Sequence, residues 1–264
     1  MSDVFSFTAG STPLLISIPH DGRLLMPGQA GRMSAEGRAL PDTDWFVRDL
    51  YAFADEIGAS VIAANYSRYV VDLNRPADDA PLYKRQMSTG LCPCKTFGGK
   101  DIYIDGATVS ARDRAERIDR YWNPYHARIS SVLTDFRNNY GYALLWDAHS
   151  IASEVPMLFP GVLTDLNLGS NDGDSCDASC ESSVMGIAEA SGYSAVLNGR
   201  FRGGYITRHY GDPENGVNAI QLELSQRCYM NEEKLAYDAA LAASVAGTIR
   251  KMLVAFVHAA GSPR

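Results

Sequence analysis

Residues 142–148, Tyr-Ala-Leu-Leu-Trp-Asp-Ala, are apolar at almost every position. Successive side chains of a strand point to opposite faces, so such a run cannot sit at a solvated edge. It predicts the central strand of a sheet covered on both sides, as in α/β proteins. The flanking sequence agrees. Residues 13–19 (PLLISIP), 60–64, 69–73 and 217–224 (VNAIQLEL) read as further strands. Longer helical patterns alternate with them. Residues 42–58 predict a helix, with an apolar stripe at 46, 47, 50, 53, 54 and 57, an acidic start and a glycine stop. An arginine-rich helical region begins at Ser110, with Pro124 dividing it in two. The last helix is expected from an Asn231 N-cap to about Ala259. No repeat or long linker interrupts the pattern, so residues 1–264 are expected to form one catalytic α/β domain.

Charge narrows the partners. A net charge of −7 and a pI near 5.2 argue against nucleic acid or an anionic membrane. The N-terminal residues lack a basic segment followed by an apolar one, which predicts a soluble, cytoplasmic protein. Five cysteines, at 92, 94, 176, 180 and 228, include no C-x-x-C pair and fit free thiols better than a structural zinc site.

Polar residues cluster where the predicted strands end, the place at which open α/β sheets bind ligands. His20 follows the first strand. Asp147 and His149 close the central strand, two positions apart and hence on one face. Imidazole is the commonest neutral metal ligand, and a nearby carboxylate suits the role of its hydrogen-bond partner. A structural Asp–His contact is the ordinary alternative. A catalytic metal needs a third ligand; Asp44 is the preferred candidate, with Asp42 as the reserve, although one of them is expected to cap the helix. Glu223 lies with Gln221 on the face opposite Ile220, Leu222 and Leu224. A carboxylate on a buried strand is costly unless paired, which makes Glu223 a candidate general base.

Cations surround these groups. Arg68, Asn74 and Arg75 flank one predicted strand and suit bidentate grip on a carboxylate. Residues 198–211 (NGRFRGGYITRHYG) form a glycine-rich, cationic loop lacking the context of a nucleotide-binding loop. It is expected to rim an anionic substrate, with Arg202, Arg208 and Tyr205 as contacts.

In order along the chain, IPHDG, DTDWF, SRYVVDLNRP, TGLCP, LWDAHSI, DLNLG, GGYITRHYG and AIQLELSQ resemble the N-formylglutamate deformylase (N-formylglutamate amidohydrolase) family, over about residues 12 to 255. The resemblance implies a zinc-carboxypeptidase-like (phosphorylase/hydrolase-like) fold: a three-layer α/β/α sandwich around a mixed, mostly parallel sheet. It implies hydrolysis of N-formyl-L-glutamate to formate and L-glutamate, the last step of one histidine-degradation route. It also implies that Asn74 and Arg75 correspond to the pair holding the terminal carboxylate in carboxypeptidases, and Glu223 to their base. The His-x-x-Glu pair of that wider group is absent, since Arg23 stands three positions after His20. Asn218 stands where many relatives carry histidine.

The expected site is therefore one divalent metal, Zn²⁺, on His20, Asp44 and His149. Glu223 acts as base, and Arg68 stabilises the oxyanion. Asn74, Arg75, Tyr205, Arg202 and Arg208 hold a small anionic N-formyl amino acid. The alternatives are a deacylase or carboxypeptidase acting on another N-acyl or N-formimino acidic amino acid, and a non-catalytic binder of acidic amino acids.

Overall fold

A computed structural model describes residues 3–81 and 89–261. The terminal residues of the expected 1–264 domain thus lie outside the described residues. Seven strands form one mixed sheet: β1 (Phe5–Thr8), β2 (Leu14–Ile18), β3 (Ser60–Ala64), β4 (Ala143–Ile151), β5 (Leu166–Gly169), β6 (Ala195–Leu197) and β7 (Val217–Ser225). Their order is β1-β3-β2-β4-β7-β5-β6. The pairs β3–β2, β2–β4, β4–β7 and β5–β6 are parallel, while β1–β3 and β7–β5 are antiparallel. The predicted central strand is central, and every residue of β4 is buried.

The helices are α1 (Ala35–Ala39), α2 (Val47–Leu50), α3 (Ala111–Arg117), α4 (Asn123–Tyr140), α5 (Ala178–Glu189), α6 (Tyr205–Tyr210) and α7 (Ala239–Gly261). Strand parity sorts the core into two layers. Leu14, Ile16, Leu144, Trp146, Ile220 and Leu222 pack with α5 and α7 residues such as Val184, Ile249 and Phe256. Leu15, Leu145, Ala143 and Ala219 pack on the other face with Tyr125, Ile129 and Leu133 of α4. The chain is an α/β sandwich with helices on both faces of a mostly parallel sheet, as expected. Asp147, His149, Gln221 and Glu223 share the parity of the α4 face. They stand near the carboxyl ends of β4 and β7, where register pairs His149 with Glu223 and Asp147 with Gln221.

Several expected elements differ. Residues 69–73 are not a strand but a buried irregular segment, whose backbone is satisfied elsewhere: Tyr69 and Val70 carbonyls accept from Arg117 Nη1 at 3.2 and 2.9 Å, and Asp72 N–H donates to Leu91 O at 2.7 Å. Residues 42–58 form only α2 and a 3₁₀ turn (Ala54–Ile57), because Phe46 takes φ 61° and the chain before it is a loop. Of the expected stripe Val47, Leu50 and Ala54 are buried and Phe46, Phe53 and Ile57 partly so, with Tyr51 buried beside them, and Gly58 supplies the left-handed stop. Pro124 does not divide two separate helices; α3 runs into α4 through a π-helical turn at Ile118–Trp122. Asn231 lies in a hairpin of Met230–Asn231 with Ala236–Tyr237, and Asp238 caps α7. Helix α7 is long and apolar enough to cross a bilayer by length and composition, yet Val245, Ile249, Met252, Leu253 and Phe256 are wholly buried against the sheet. The thiols divide between layers, Cys92 on the α4 side and Cys176, Cys180 and Cys228 on the other, so they do not form one four-sulfur site.

Candidate metal centre

The parallel strand β2 ends at Ile18, and His20 leaves it two residues later. Two strands, β2 and β4, bring His20 and His149 side by side, with ring centroids 4.8 Å apart. Asp44 arrives from the loop before α2, whose backbone is fixed by an Asp44 N–H donating to His20 O at 3.1 Å. Asp44 Oδ2 lies 3.0 Å from His149 Nδ1 and 3.7 Å from His20 Nδ1, and accepts from Ser150 N–H at 3.1 Å. Candidate donor atoms of His20, Asp44 and His149 all lie within 4.8 Å of one another, and all three residues are buried. Asp42, the reserve, is not in this group: its carboxylate accepts from Tyr69 Oη at 2.6 Å and Phe97 N–H at 2.9 Å.

The far side of each imidazole meets a carboxylate. His20 Nε2 is 2.7 Å from Asp72 Oδ1, and His149 Nε2 is 3.0 Å from Asp147 Oδ2. Protons held on Nε2 leave both Nδ1 lone pairs directed to the Asp44 side, the orientation a carboxylate–histidine–metal arrangement requires. Donors about 2.0–2.1 Å from a tetrahedral zinc stand about 3.3 Å apart, between the two separations seen here. A cationic nitrogen is drawn to the same acceptors, for Arg68 Nη2 presses on His20 Nδ1 and lies 3.4 Å from Asp44 Oδ1. The donor set and its surroundings thus fit a divalent cation.

The electrostatics point the same way. Burial would raise the Asp44 carboxyl, but Arg68 and the two imidazoles hold it well below the usual range. Asp72 is likewise held low against burial, by His20, Arg68 and Arg75. Burial disfavours a charged His149, yet Asp147 and Asp44 carry it well above its ordinary value. A metal would displace that proton on binding. Glu223 differs. Burial, with Asp44 and Asp147 nearby, pushes its pKa to about 8, against the pull of His149 and Arg68. Its Oε2 accepts from Gln221 Nε2 at 3.3 Å, while Gln221 Oε1 accepts from Gly204 N–H at 2.6 Å.

One pocket of about 120 Å³ gathers His20, Asp44, Arg68, Asp72, Asn74, Arg75, His149, Gln221 and Glu223, with Arg200 and Phe97 on its walls. Asn74 lines it, but its amide is engaged: Oδ1 accepts from Ile206 N–H at 2.8 Å, and Nδ2 lies 3.2 Å from Asp147 Oδ2 and 2.9 Å from His149 Nε2. With the His149 Nε2 proton directed to Asp147, the Asn74 amide donates to the same carboxylate and supports the imidazole through it. Three expected contacts lie off the pocket wall. Arg202 pairs with Asp172 at 3.0 Å, at the surface, because its backbone carbonyl is pinned by Asn171 N–H. Arg208 Nε donates to Gly203 O at 2.7 Å, and Tyr205 stacks on His209 and leans on Trp122. The loop cation on the wall is Arg200, whose Nε donates to Leu158 O at 2.8 Å. Asn218 is remote from the metal donors, near the start of β7, accepting from Asp177 N–H at 2.6 Å. Reading the sequence missed Asp72, Arg200 and Phe97. Asp72 was hidden in the supposed strand, and nothing local distinguishes Arg200 from Arg202.

Known proteins share this architecture and sequence. The chain is 52% identical over 255 residues to N-formylglutamate deformylase of Pseudomonas aeruginosa, covering 96% of each chain. It is 48% identical over 259 residues to the enzyme of that name from Pseudomonas putida, covering 97% of each. The crystal structure of N-formylglutamate amidohydrolase from Ralstonia eutropha superposes with a TM-score of 0.83 at 23% identity, covering 95% of this chain and 96% of that one, which establishes the fold. The family model for N-formylglutamate amidohydrolase matches residues 12–230. With that match across most of its length, the chain belongs to the N-formylglutamate amidohydrolase family.

Proposed function

We propose that the protein hydrolyses N-formyl-L-glutamate to formate and L-glutamate, using one divalent metal, Zn²⁺, on His20, Asp44 and His149. One observation carries this reading. Two carboxylate-backed imidazoles and a buried aspartate converge beside a buried glutamate, in a pocket whose wall also bears Arg75 and Arg200. The relatives at 52% and 48% identity carry the name of that deformylase.

The bound cation would supply Lewis acidity, polarising the formyl carbonyl and acidifying water from ~15.7 toward neutrality. Glu223 takes a proton from the attacking water and returns it to the leaving nitrogen, a role its buried position and neighbouring register to His149 support. Its raised pKa makes it a capable proton acceptor. Arg68, buried beside His20 and Asp44, would stabilise developing negative charge. Arg75 and Arg200, both on the pocket wall, would bind the two substrate carboxylates. Asp72, Asp147 and Asn74 hold the imidazoles in orientation. In a cell the enzyme would act in the cytoplasm at the last step of histidine degradation.

The test is formate release from N-formylglutamate. A strong chelator should abolish it and zinc restore it, and Glu223→Gln should lower kcat by about 10²–10⁴-fold while zinc binding persists. Activity indifferent to both treatments would end this reading.

A further inference from the structure

A second cleft of about 420 Å³ lies against the metal-site pocket and shares Phe97, Ser150 and Ile151 with it. Its wall is continued by Ala152, Val155, Pro156 and Met157. Among the described residues no Lys or Arg lines it, and its carboxylates are Asp42 and Glu154. It borders the metal donors closely, since Thr43 and Ser150 are the chain neighbours of Asp44 and His149. Phe97 stands at the junction. Its ring faces the Arg68 guanidinium at 5.0 Å and packs beside Ile151, and its N–H is held by Asp42. It is at the tip of a tight turn, closed by Gly99 N–H to Thr96 O and Thr96 N–H to Lys100 O.

We propose that Phe97 is the residue that restricts the enzyme to the formyl group, and that the cleft behind it is a latent subsite for longer, apolar acyl chains. The inference rests on the reaction proposed above. Hydrolysis of an N-acylglutamate breaks the acyl C–N bond; water adds OH to the acyl carbon and H to the amine, giving a carboxylate and glutamate. The two sides of that amide must diverge from the metal donors. The glutamate side follows the cations Arg75 and Arg200, which line only the first pocket. The acyl side is left the apolar wall of Phe97, Ile151, Leu158 and Phe201, and of these the Phe97 ring and Ile151 also border the second cleft. A formyl hydrogen needs no room there, whereas each added methylene meets the ring. With the ring removed, an apolar chain would reach Ile151, Ala152 and Val155 and lose contact with water. Phe97 is partly exposed on a turn, so its truncation leaves the sheet core intact.

The experiment measures glutamate release from N-formyl-, N-acetyl- and N-butyrylglutamate by the zinc-loaded wild type, Phe97→Ala and Phe97→Leu. The wild type should favour the formyl compound. Both substitutions should raise the butyryl-to-formyl ratio of kcat/KM by about tenfold or more, the leucine less than the alanine. Adding Ala152→Phe to Phe97→Ala, which refills the cleft, should bring the ratio back down. A ratio within about twofold of wild type in both Phe97 variants overturns the proposal. So does a wild type that cleaves the butyryl compound as fast as the formyl one, and in that case the reaction itself stands. If neither wild type nor variants cleave any of the three, the reaction reading is what fails.

Discussion

At the scale of single residues, the site is built by pairing each imidazole with a buried acid before any cation arrives. Taking a carboxylate out of water is costly unless it is hydrogen-bonded to a charged or polar partner. Asp72 meets this demand through His20 Nε2 and the Asn74 N–H, the latter at 2.9 Å. Asp147 meets it through His149 and Asn74, although its Oδ1 has no hydrogen-bond partner among the described residues. Replacing Asp72 by Asn keeps an acceptor near His20 but removes the charge that raises imidazole basicity. Zinc affinity, read by competition with a chromophoric chelator, should fall about 10–100-fold. The fold, read by circular dichroism, should persist. Unchanged affinity would mean that Asp72 only fills space.

At the scale of elements, what was legible was periodicity, and what was misread was termination. Apolar runs in the sequence coincide with β2, β3, β4 and β7 because strands covered on both faces are buried along nearly their whole length. The 69–73 segment shows the same apolar run without being a strand, since side chains of Arg117 and Gln29 satisfy its carbonyls. Local pattern cannot distinguish a ladder partner from a distant arginine. Helix α7 starts late for a related reason: Asn231 does cap, with Oδ1 accepting from Lys234 N–H at 2.9 Å, but what it caps is a hairpin turn. Asp238 Oδ1 accepts from the Ala240 and Leu241 N–H groups, both at 3.0 Å. Asp238→Ala should therefore destabilise the protein by about 1 kcal/mol in urea unfolding. A loss near zero would show that α7 is held by its packing alone.

At the scale of the whole molecule, one buried histidine outside the metal centre makes stability depend on pH. His126 of α4 is enclosed between Leu73 O, 2.9 Å from Nε2, and Tyr210 Oη, 3.0 Å from Nδ1. Burial lowers its pKa to about 3 from 6.5. The folded state thus resists a proton that the unfolded chain accepts. The stability tied to neutral His126 is fully present above pH 6.5 and is lost as pH falls from there toward 3. Its contribution to the slope approaches one proton, about 1.4 kcal/mol per pH unit, once the unfolded histidine is charged. His126→Gln should remove that contribution, so its stability relative to wild type should improve steadily from pH 6 to pH 4. A difference independent of pH would show that His126 titrates normally.

The layered α/β class, the central strand, and the parity that sets Asp147, His149 and Glu223 on one face are legible in the order of residues alone. These follow from local periodicity, because the alternation of a strand is fixed by covalent geometry. The same order also pointed to His20 and Asp44, as chemically capable residues next to predicted element ends. Long-range packing sets the rest. It brings Asp44 rather than Asp42 to the imidazoles, sets Asp72 behind His20, turns Arg200 rather than Arg202 to the pocket, and stands Phe97 between two cavities. Each of these depends on loops whose direction is set by long-range hydrogen bonds, such as Asp44 N–H to His20 O and Asn171 N–H to Arg202 O. A loop carries no period of its own, so the side a loop residue faces is fixed only once the distant partner is in place.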